Sequence, residues 1–306
     1  MPEELRLGII GLDTSHSVEF TRRLNDPANP QHITGARVVH GFAEHSPDMP
    51  WSVDRVKEFT RELEKQHGVR MMDSIAEVVA ESDAILLCSL DGRKHLAQVE
   101  PVFAAKKPVF VDKPVAGTLK DVVSLYEMAA ESGTPCFSSS AMRWYPGIIE
   151  VANANVGTVR GAISYGPSPL EPNHPDLFFY GIHPTEALFT VLGPGCQRVQ
   201  RVTTPHTSVV TGMWEDGKVG TLHAMHRWPA EYKVTKFGDT GIFEQKEAGD
   251  YTPMLREIVK FFQTGTPPVS MAETLEIYCF MEAADESRRW SGASVELSEV
   301  LARASE

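Results

Sequence analysis

Several things are scarce in this 306-residue chain. It has only four cysteines, Cys88, Cys136, Cys196 and Cys279. They are far apart and none forms a C-x-x-C pair, so buried, reduced thiols are expected rather than a disulfide framework. Positive charge is short as well: 29 Lys and Arg stand against 41 Asp and Glu, a formal net charge of −12. No long basic run occurs, and no basic stretch is interleaved with aromatics. A nucleic-acid backbone needs clustered positive charge, so no nucleic-acid partner is expected and a small polar molecule is. No apolar run reaches the length of a membrane span. The start, MPEELRLGII, carries acid where an export signal carries base. The expectation is a cytoplasmic protein with no membrane partner.

A further shortage is local. Residues 8–17 read GIIGLDTSHS. The run Leu5–Ile10 resembles a buried first strand breaking into a turn, as at the opening of a dinucleotide-binding domain. The fingerprint G-x-G-x-x-G would then place glycines at 11, 13 and 16. The sequence has Gly11, Asp13 and His16 there. Gly8 and Gly11 still permit a tight strand-to-turn path. Thr14 and Ser15 can cap the next helix, whose N-terminal amides suit a phosphate. Asp13 can cap too, or bind a hydroxyl. By itself the stretch reads as an ordinary capped turn.

What is present is regular alternation. Short apolar runs at Leu5–Ile10, Ala36–Phe42, Ala84–Cys88, Pro108–Val111 and Pro135–Phe137 are separated by helical patterns near 15–25, 51–67, 74–81, 94–105 and 118–132. Runs with apolar centres fit strands buried on both faces of a parallel sheet. Strand–helix alternation predicts an α/β, doubly wound Rossmann sheet. After about residue 155 strands follow one another, at Val159–Tyr165, Gln197–Thr203, Ser208–Trp214, Val219–Met225, Tyr232–Phe237 and Gly241–Glu244. Asp216-Gly217 signals a hairpin. This half predicts a mainly antiparallel sheet, with helices near 176–192, 250–263 and 272–290. The domains are placed at 1–140 and 141–306. The late strands carry apolar residues on both phases (Val209, Val210, Met213, Trp214, Leu222, Ala224, Met225), which points to a homo-oligomer.

In an open parallel sheet, ligands bind beyond the carboxyl ends of the strands. After the second strand comes Glu44, with His45 and Ser46. Glu44 can hold ribose hydroxyls, and His45 and Ser46 can meet a 2′-phosphate. After the fourth come Ser89 and Asp91, and then a helix carrying His95. After the fifth comes Asp112-Lys113-Pro114, where the acid can hold the ammonium.

Residues 95–119, HLAQVEPVFAAKKPVFVDKPVAGTL, resemble the signature of the Gfo/Idh/MocA oxidoreductases, with Asp112 in place of a glutamate. Arg143-Trp144-Tyr145-Pro146 is similar to that family's Arg-Phe-x-Pro segment. GIHPTEALFTVLG, residues 181–193, is similar to its Gly-x-His-x-x-Asp helix. The resemblance implies a Rossmann domain plus a C-terminal α/β domain with an open, mainly antiparallel sheet. It implies NAD or NADP as cofactor and hydride transfer to or from a sugar, cyclitol or related polyol. Gly8, Gly11, Asp13, Thr14, Ser15, His16, Glu44, Ser89, Asp91, His95, Asp112 and Lys113 are the expected cofactor contacts. Lys113 is expected beside the nicotinamide and the reacting oxygen, and His183 as acid/base at the same substrate. Arg143, Trp144, His174 and Asp176 are expected to line the substrate.

The family commonly has an aspartate four residues before this histidine; here it is Phe179. Tyr180 can supply the missing donor, or Glu186 can hold His183. On a helix Asp176 would lie roughly 10 Å from His183 by helix rise, too far for a direct bond. His174, Asp176 and His183 could hold a metal, but a polar sugar lining is the preferred reading, and no metal is expected. Two other classes remain open. One is a ligand-binding or regulatory descendant of the fold. The other is a lyase, hydrolase or epimerase using tightly held NAD.

Overall fold

The computed structural model describes residues 4–227 and 231–306; Met1–Glu3, part of the acidic start, lie outside them. In chain order the first elements are β1 (Leu5–Ile10), α1 (Ser15–Asn25), β2 (Ala36–Phe42), α2 (Pro50–His67), β3 (Arg70–Met71) and α3 (Ile75–Glu81). Next come β4 (Ala84–Leu87), α4 (His95–Ala104), β5 (Val109–Val111), α5 (Leu119–Ser132), β6 (Cys136–Phe137) and α6 (Pro146–Asn153). They are followed by β7 (Val159–Pro167), α7 (Ile182–Leu192), β8 (Cys196–Thr203), β9 (Thr207–Trp214), β10 (Val219–Met225) and β11 (Lys233–Gly238). The last are β12 (Ile242–Glu244), α8 (Thr252–Thr264), α9 (Met271–Arg289), β13 (Val295–Glu296) and α10 (Leu297–Ala304).

The chain folds as two compact units. The first comprises Met1–Gly117, Ser124–Ser138 and Tyr251–Ser270; the second comprises Thr118–Val123, Ser139–Asp250 and Met271–Glu306. The first holds a parallel sheet of order β3-β2-β1-β4-β5-β6. This is the doubly wound Rossmann order, with the chain reversing direction across the sheet between β1 and β4. Every residue of β4 and β5 is buried, as are the last four of β1. That is why these strands read as unbroken apolar runs. The short edge strand β3 is half-exposed and has no such run.

The second unit holds a mixed sheet of order β12-β11-β7-β10-β9-β8-β13. β7 and β10 pair in parallel and the other neighbours are antiparallel. The Asp216-Gly217 turn joins β9 to β10, closed by the Trp214 N–H on the Lys218 carbonyl. One phase of each strand is buried: Val210 and Trp214 on β9, Leu222 and Ala224 on β10. The other phase exposes Ile163, Val202, Met213, Val219 and Ile242.

One boundary departs from the sequence reading. Residues 176–181 form turns, and α7 begins only at Ile182. Pro184 explains the late start. Proline lacks the N–H and clashes with the carbonyl four residues back, so it is tolerated in a helix's first turn and not beyond. Gly181 makes the tight entry: a Cβ there would lie 2.7 Å from the Leu177 carbonyl oxygen. None of the described helices is long and apolar enough to cross a membrane. All four cysteines are buried and free.

Candidate functional site

In the first unit, the loop after β1 is held by side chains that replace the missing glycines. Asp13 is fully buried. Its Oδ2 accepts the Ser52 hydroxyl at 2.6 Å and its Oδ1 accepts the Leu90 N–H at 2.9 Å. Burial pushes its carboxyl pKa up, against the pull of those two donors. Thr14 caps α1, its Oγ1 accepting the His16 N–H at 3.2 Å, and Ser15 is exposed at the helix start. Gly8 and Gly11 lie against α3 and Ser89: a Cβ on Gly8 would meet Val78 Cγ1 at 2.5 Å, and one on Gly11 would meet Ser89 Oγ at 2.2 Å.

His16 does not stay in its own loop. Its Nδ1 is 2.6 Å from Asp112 Oδ2, and its ring lies between Phe20 (stacked, 5.1 Å) and Tyr251 (edge-on, 4.8 Å). The other Asp112 oxygen accepts the Lys113 backbone N–H at 2.8 Å. Burial opposes the Asp112 charge, but the His16 ring and Lys113 hold its carboxyl below the usual range. Lys113 itself is 5% exposed. His95 is buried and ties two loops together, one ring nitrogen on the Ser89 carbonyl and the other on that of Val115; burial lowers its pKa.

The loops after β2 and β4 are cross-linked in the same manner. Ser46 donates to Asp91 at 2.5 Å, and Arg93 bonds Asp91 and Asp48. Glu44 takes Lys94 at 2.9 Å and Gln98 at 2.7 Å. Glu44 also lines an open cleft of about 530 Å³ with Phe42, His45, Asp73 and Ser74. Ser52 and Arg93 escaped the sequence reading. Both sit on polar, unremarkable stretches, and only the tertiary fold supplies their partners.

In the second unit, His183 sits in the first turn of α7, 7% exposed. Its Nδ1 is 2.7 Å from Ser140 Oγ. Tyr180 and Tyr232 set their rings edge-on to the imidazole, each at 5.5 Å. Phe179 packs on His174 and Tyr180. Because 176–181 is not helical, Phe179 does not lie one helical turn below His183. Glu186 does not bond His183: its Oε1 accepts Arg143 Nε at 2.7 Å and the Ser139 hydroxyl at 3.0 Å. Arg143 also donates to Glu273, and Trp144 Nε1 donates to Ser139. Burial works against the Arg143 charge, but Glu186 and Glu273 raise its pKa. Asp176 is committed to Arg201 at 2.9 Å and Arg288 at 3.1 Å. Arg201, fully buried, also pairs with Asp285. Asp176, Asp285 and His174 line a polar cleft of about 570 Å³ with Lys120 and Arg303.

Residues 5–139 match the GFO_IDH_MocA family model, described as an oxidoreductase family with an NAD-binding Rossmann fold. The match covers less than half of the chain. Inositol 2-dehydrogenase of Paracoccus denitrificans is 30% identical over 161 residues, 52% of this chain and 43% of that protein. Inositol 2-dehydrogenase of Cereibacter sphaeroides is 37% identical over 78 residues, 26% of this chain and 23% of that protein. These matches span less than half the length of either relative. An Agrobacterium radiobacter oxidoreductase solved with NAD+, L-tartaric acid and magnesium shares the fold at TM-score 0.78 and 16% identity, covering 98% of this chain and 100% of that one. Myo-inositol dehydrogenase of Lactobacillus casei, solved with NAD(H) and myo-inositol, does so at 0.76 and 16%, covering 96% and 97%.

The residues of the first unit fit a family dinucleotide. Ser89 Oγ is buried at the end of β4 beside Gly11, with no hydrogen-bond partner among the described residues. Both Asp13 oxygens accept hydrogen bonds within the domain, so the buried carboxyl in the glycine position is satisfied by its own loops.

Proposed function

We propose that the protein is an NAD-dependent oxidoreductase acting on a hydroxyl of a cyclitol, sugar or related polyol. The observation that carries this reading is the buried Asp112–Lys113 pair at the carboxyl end of β5, in a domain matched to an NAD-binding family. The inositol 2-dehydrogenases among the relatives support the substrate class.

Bound NAD would supply the hydride acceptor for the substrate carbon. Gly11, Thr14, Ser15 and Ser89 would hold its phosphates and ribose. Glu44, held by Lys94 and Gln98 at the cleft beyond β2, would accept the ribose hydroxyls of NAD, the contact that a 2′-phosphate replaces in NADP. The Lys113 ammonium stabilises negative charge developing on the substrate oxygen. The hydroxyl proton leaves to the His183–Tyr180 pair. Arg143, held by two carboxylates, sets the segment that carries Ser140 and Trp144.

The test is calorimetric titration with oxidised and reduced NAD and NADP, followed by turnover on a cyclitol and sugar panel read by reduced-nicotinamide absorbance. NAD should bind in preference to NADP. Lys113→Ala should lose both activity and cofactor affinity, and His183→Ala should lose activity alone. Acid–base groups are typically worth about 10²–10⁴-fold, so a His183→Ala loss under about tenfold removes it from proton transfer. No heat with any of the four nucleotides, on protein free of prebound cofactor, would overturn the reading in favour of a ligand-binding descendant.

A further inference from the structure

We propose that Ser140 is the positioning residue of His183, and that it holds the neutral imidazole in the Nε2–H tautomer. His183 then meets a substrate oxygen as a hydrogen-bond donor.

The argument runs through the hydrogens of one hydroxyl. Ser140 is fully buried and caps the turn formed by residues 141–144. Its Oγ accepts the Met142 backbone N–H at 3.1 Å. The same oxygen lies 2.7 Å from His183 Nδ1. A serine hydroxyl carries one proton and two lone pairs. Among the described residues, Nδ1 is the acceptor within reach of that proton. If Nδ1 carried the ring proton, Ser140 would accept twice and its own proton would be buried without a partner, which costs more than a hydrogen bond returns. The satisfied arrangement has Ser140 donating to Nδ1, which leaves the ring proton on Nε2. A carboxylate partner acts in the opposite sense: it can only accept, so it puts the proton on Nδ1 and leaves Nε2 as a base. At Nδ1 the printed neighbour is the Ser140 hydroxyl, and neither position where the family pattern has an acid supplies a carboxylate there. Position 179 is phenylalanine, and Glu186 is taken by Arg143 and Ser139.

The partner also fixes the ring's orientation, with Tyr180 and Tyr232 edge-on to it. Ser140 has no exposed surface, so it is not a nucleophile despite the Ser–His pairing. The consequence for chemistry rests on the proposed function. A neutral Nε2–H donor polarises a substrate carbonyl oxygen in the reduction direction.

The experiment needs no substrate. Protein labelled with ¹⁵N-histidine is examined by long-range proton–nitrogen correlation above the titration range of the ring, with His183 assigned by its absence in His183→Gln. The expected result is a pyrrole-type Nε2 and a pyridine-type Nδ1. Losing one neutral hydrogen bond should move the tautomer ratio in Ser140→Ala roughly 2- to 10-fold toward Nδ1–H, and Ser140→Thr should restore it. A pyrrole-type Nδ1 in the wild-type protein overturns the proposal, even if Ser140→Ala does not fold. An unchanged ratio in a folded Ser140→Ala overturns it as well. Failure of the proposed oxidoreductase activity would show as absent turnover and leave these nitrogen signals untouched, so the two outcomes are separable.

Discussion

Gly11→Ala gives a direct test of the turn that opens the dinucleotide-binding domain. Gly11 has φ of +81°, so an alanine there is strained by about 1–2 kcal/mol. Its Cβ would also lie 2.2 Å from Ser89 Oγ and 2.4 Å from both Ser89 N and Ser89 Cα. Two of those three atoms are backbone at the end of β4, so no rotamer change relieves the contact. Forcing an extra carbon into such packing adds about 1–3 kcal/mol. The two penalties together come to about 2–5 kcal/mol. For a domain of this size each kcal/mol shifts the midpoint by about 2–4 °C, so the drop should be roughly 4–20 °C. Urea and thermal unfolding measure it. Gly8→Ala is the internal comparison: its Cβ would meet only side-chain ends, those of Val78, Ser82 and Ile85, so only the packing penalty of about 1–3 kcal/mol applies. Ser89→Gly should not rescue Gly11→Ala, because it removes the hydroxyl and leaves the backbone clash. A Gly11→Ala protein within about 0.5 kcal/mol of wild type, the ordinary range for a surface change, would refute the reasoning, as would full rescue by Ser89→Gly.

Other consequences are equally open to measurement. Burial, then Asp176 and Glu282, push the Asp285 carboxyl to about 6 against the pull of Arg201 and Arg288. A carboxyl raised in the fold contributes stability that is full below its unfolded pKa, near 3.8, and is lost as pH rises through about 6. Urea midpoints between about pH 4 and 7 should therefore fall more steeply for wild type than for Asp285→Asn; parallel curves would remove Asp285 from the pH dependence. The open face of the second sheet should mediate self-association, since Val202 is 70% and Ile242 64% exposed. Light scattering should give an oligomeric mass for wild type and a smaller one for Val202→Asp with Ile242→Asp. A wild-type monomer at micromolar concentration would reject that face as an interface.

How much of this was legible in the sequence follows from where each signal lies. β1, β2, β4 and β5 were visible because burial on both faces leaves contiguous apolar residues. β3 was not, because two residues at a sheet edge, Arg70 and Met71, make no pattern. β6, also two residues, was found only because Pro135 and the aromatic Phe137 frame it. In the second unit the strands were countable, but the parallel pairing of β7 with β10 joins segments more than 50 residues apart and leaves no local trace. The start of α7 was misread because apolar spacing continued back to 176 and Pro184 was not weighed. Lys113, Asp112 and His183 were found through a family resemblance carried by contiguous motifs. Ser140 was not, for it belongs to Ser138-Ser139-Ser140, which reads as loop polarity until His183, 43 residues away, is brought beside it.

The departures from the family pattern change meaning when they are taken in pairs. Alone, Asp13 and His16 look like obstacles, a charge and a bulky ring where glycines usually stand. In the fold each arrives with its own partner. Asp13 is matched by Ser52 and the Leu90 amide, and His16 by Asp112. The His16–Asp112 contact also links the glycine-loop helix to the lysine-bearing strand end, so two motifs 96 residues apart share one buried hydrogen bond. Phe179 and Ser140 follow the same logic at His183, where position 179 carries no acid and a hydroxyl meets Nδ1 of the ring. A buried polar group without a partner costs about 1–3 kcal/mol. Asp13 or His16 introduced alone would therefore be destabilising, whereas with Ser52 and Asp112 in place neither is. It follows that Ser52→Ala or Asp112→Ala should destabilise the protein more than removing an exposed polar side chain, by leaving Asp13 or His16 buried and unmatched. Urea unfolding measures this, and Asp13→Ala introduced into the Ser52→Ala background should then cost less than it does alone.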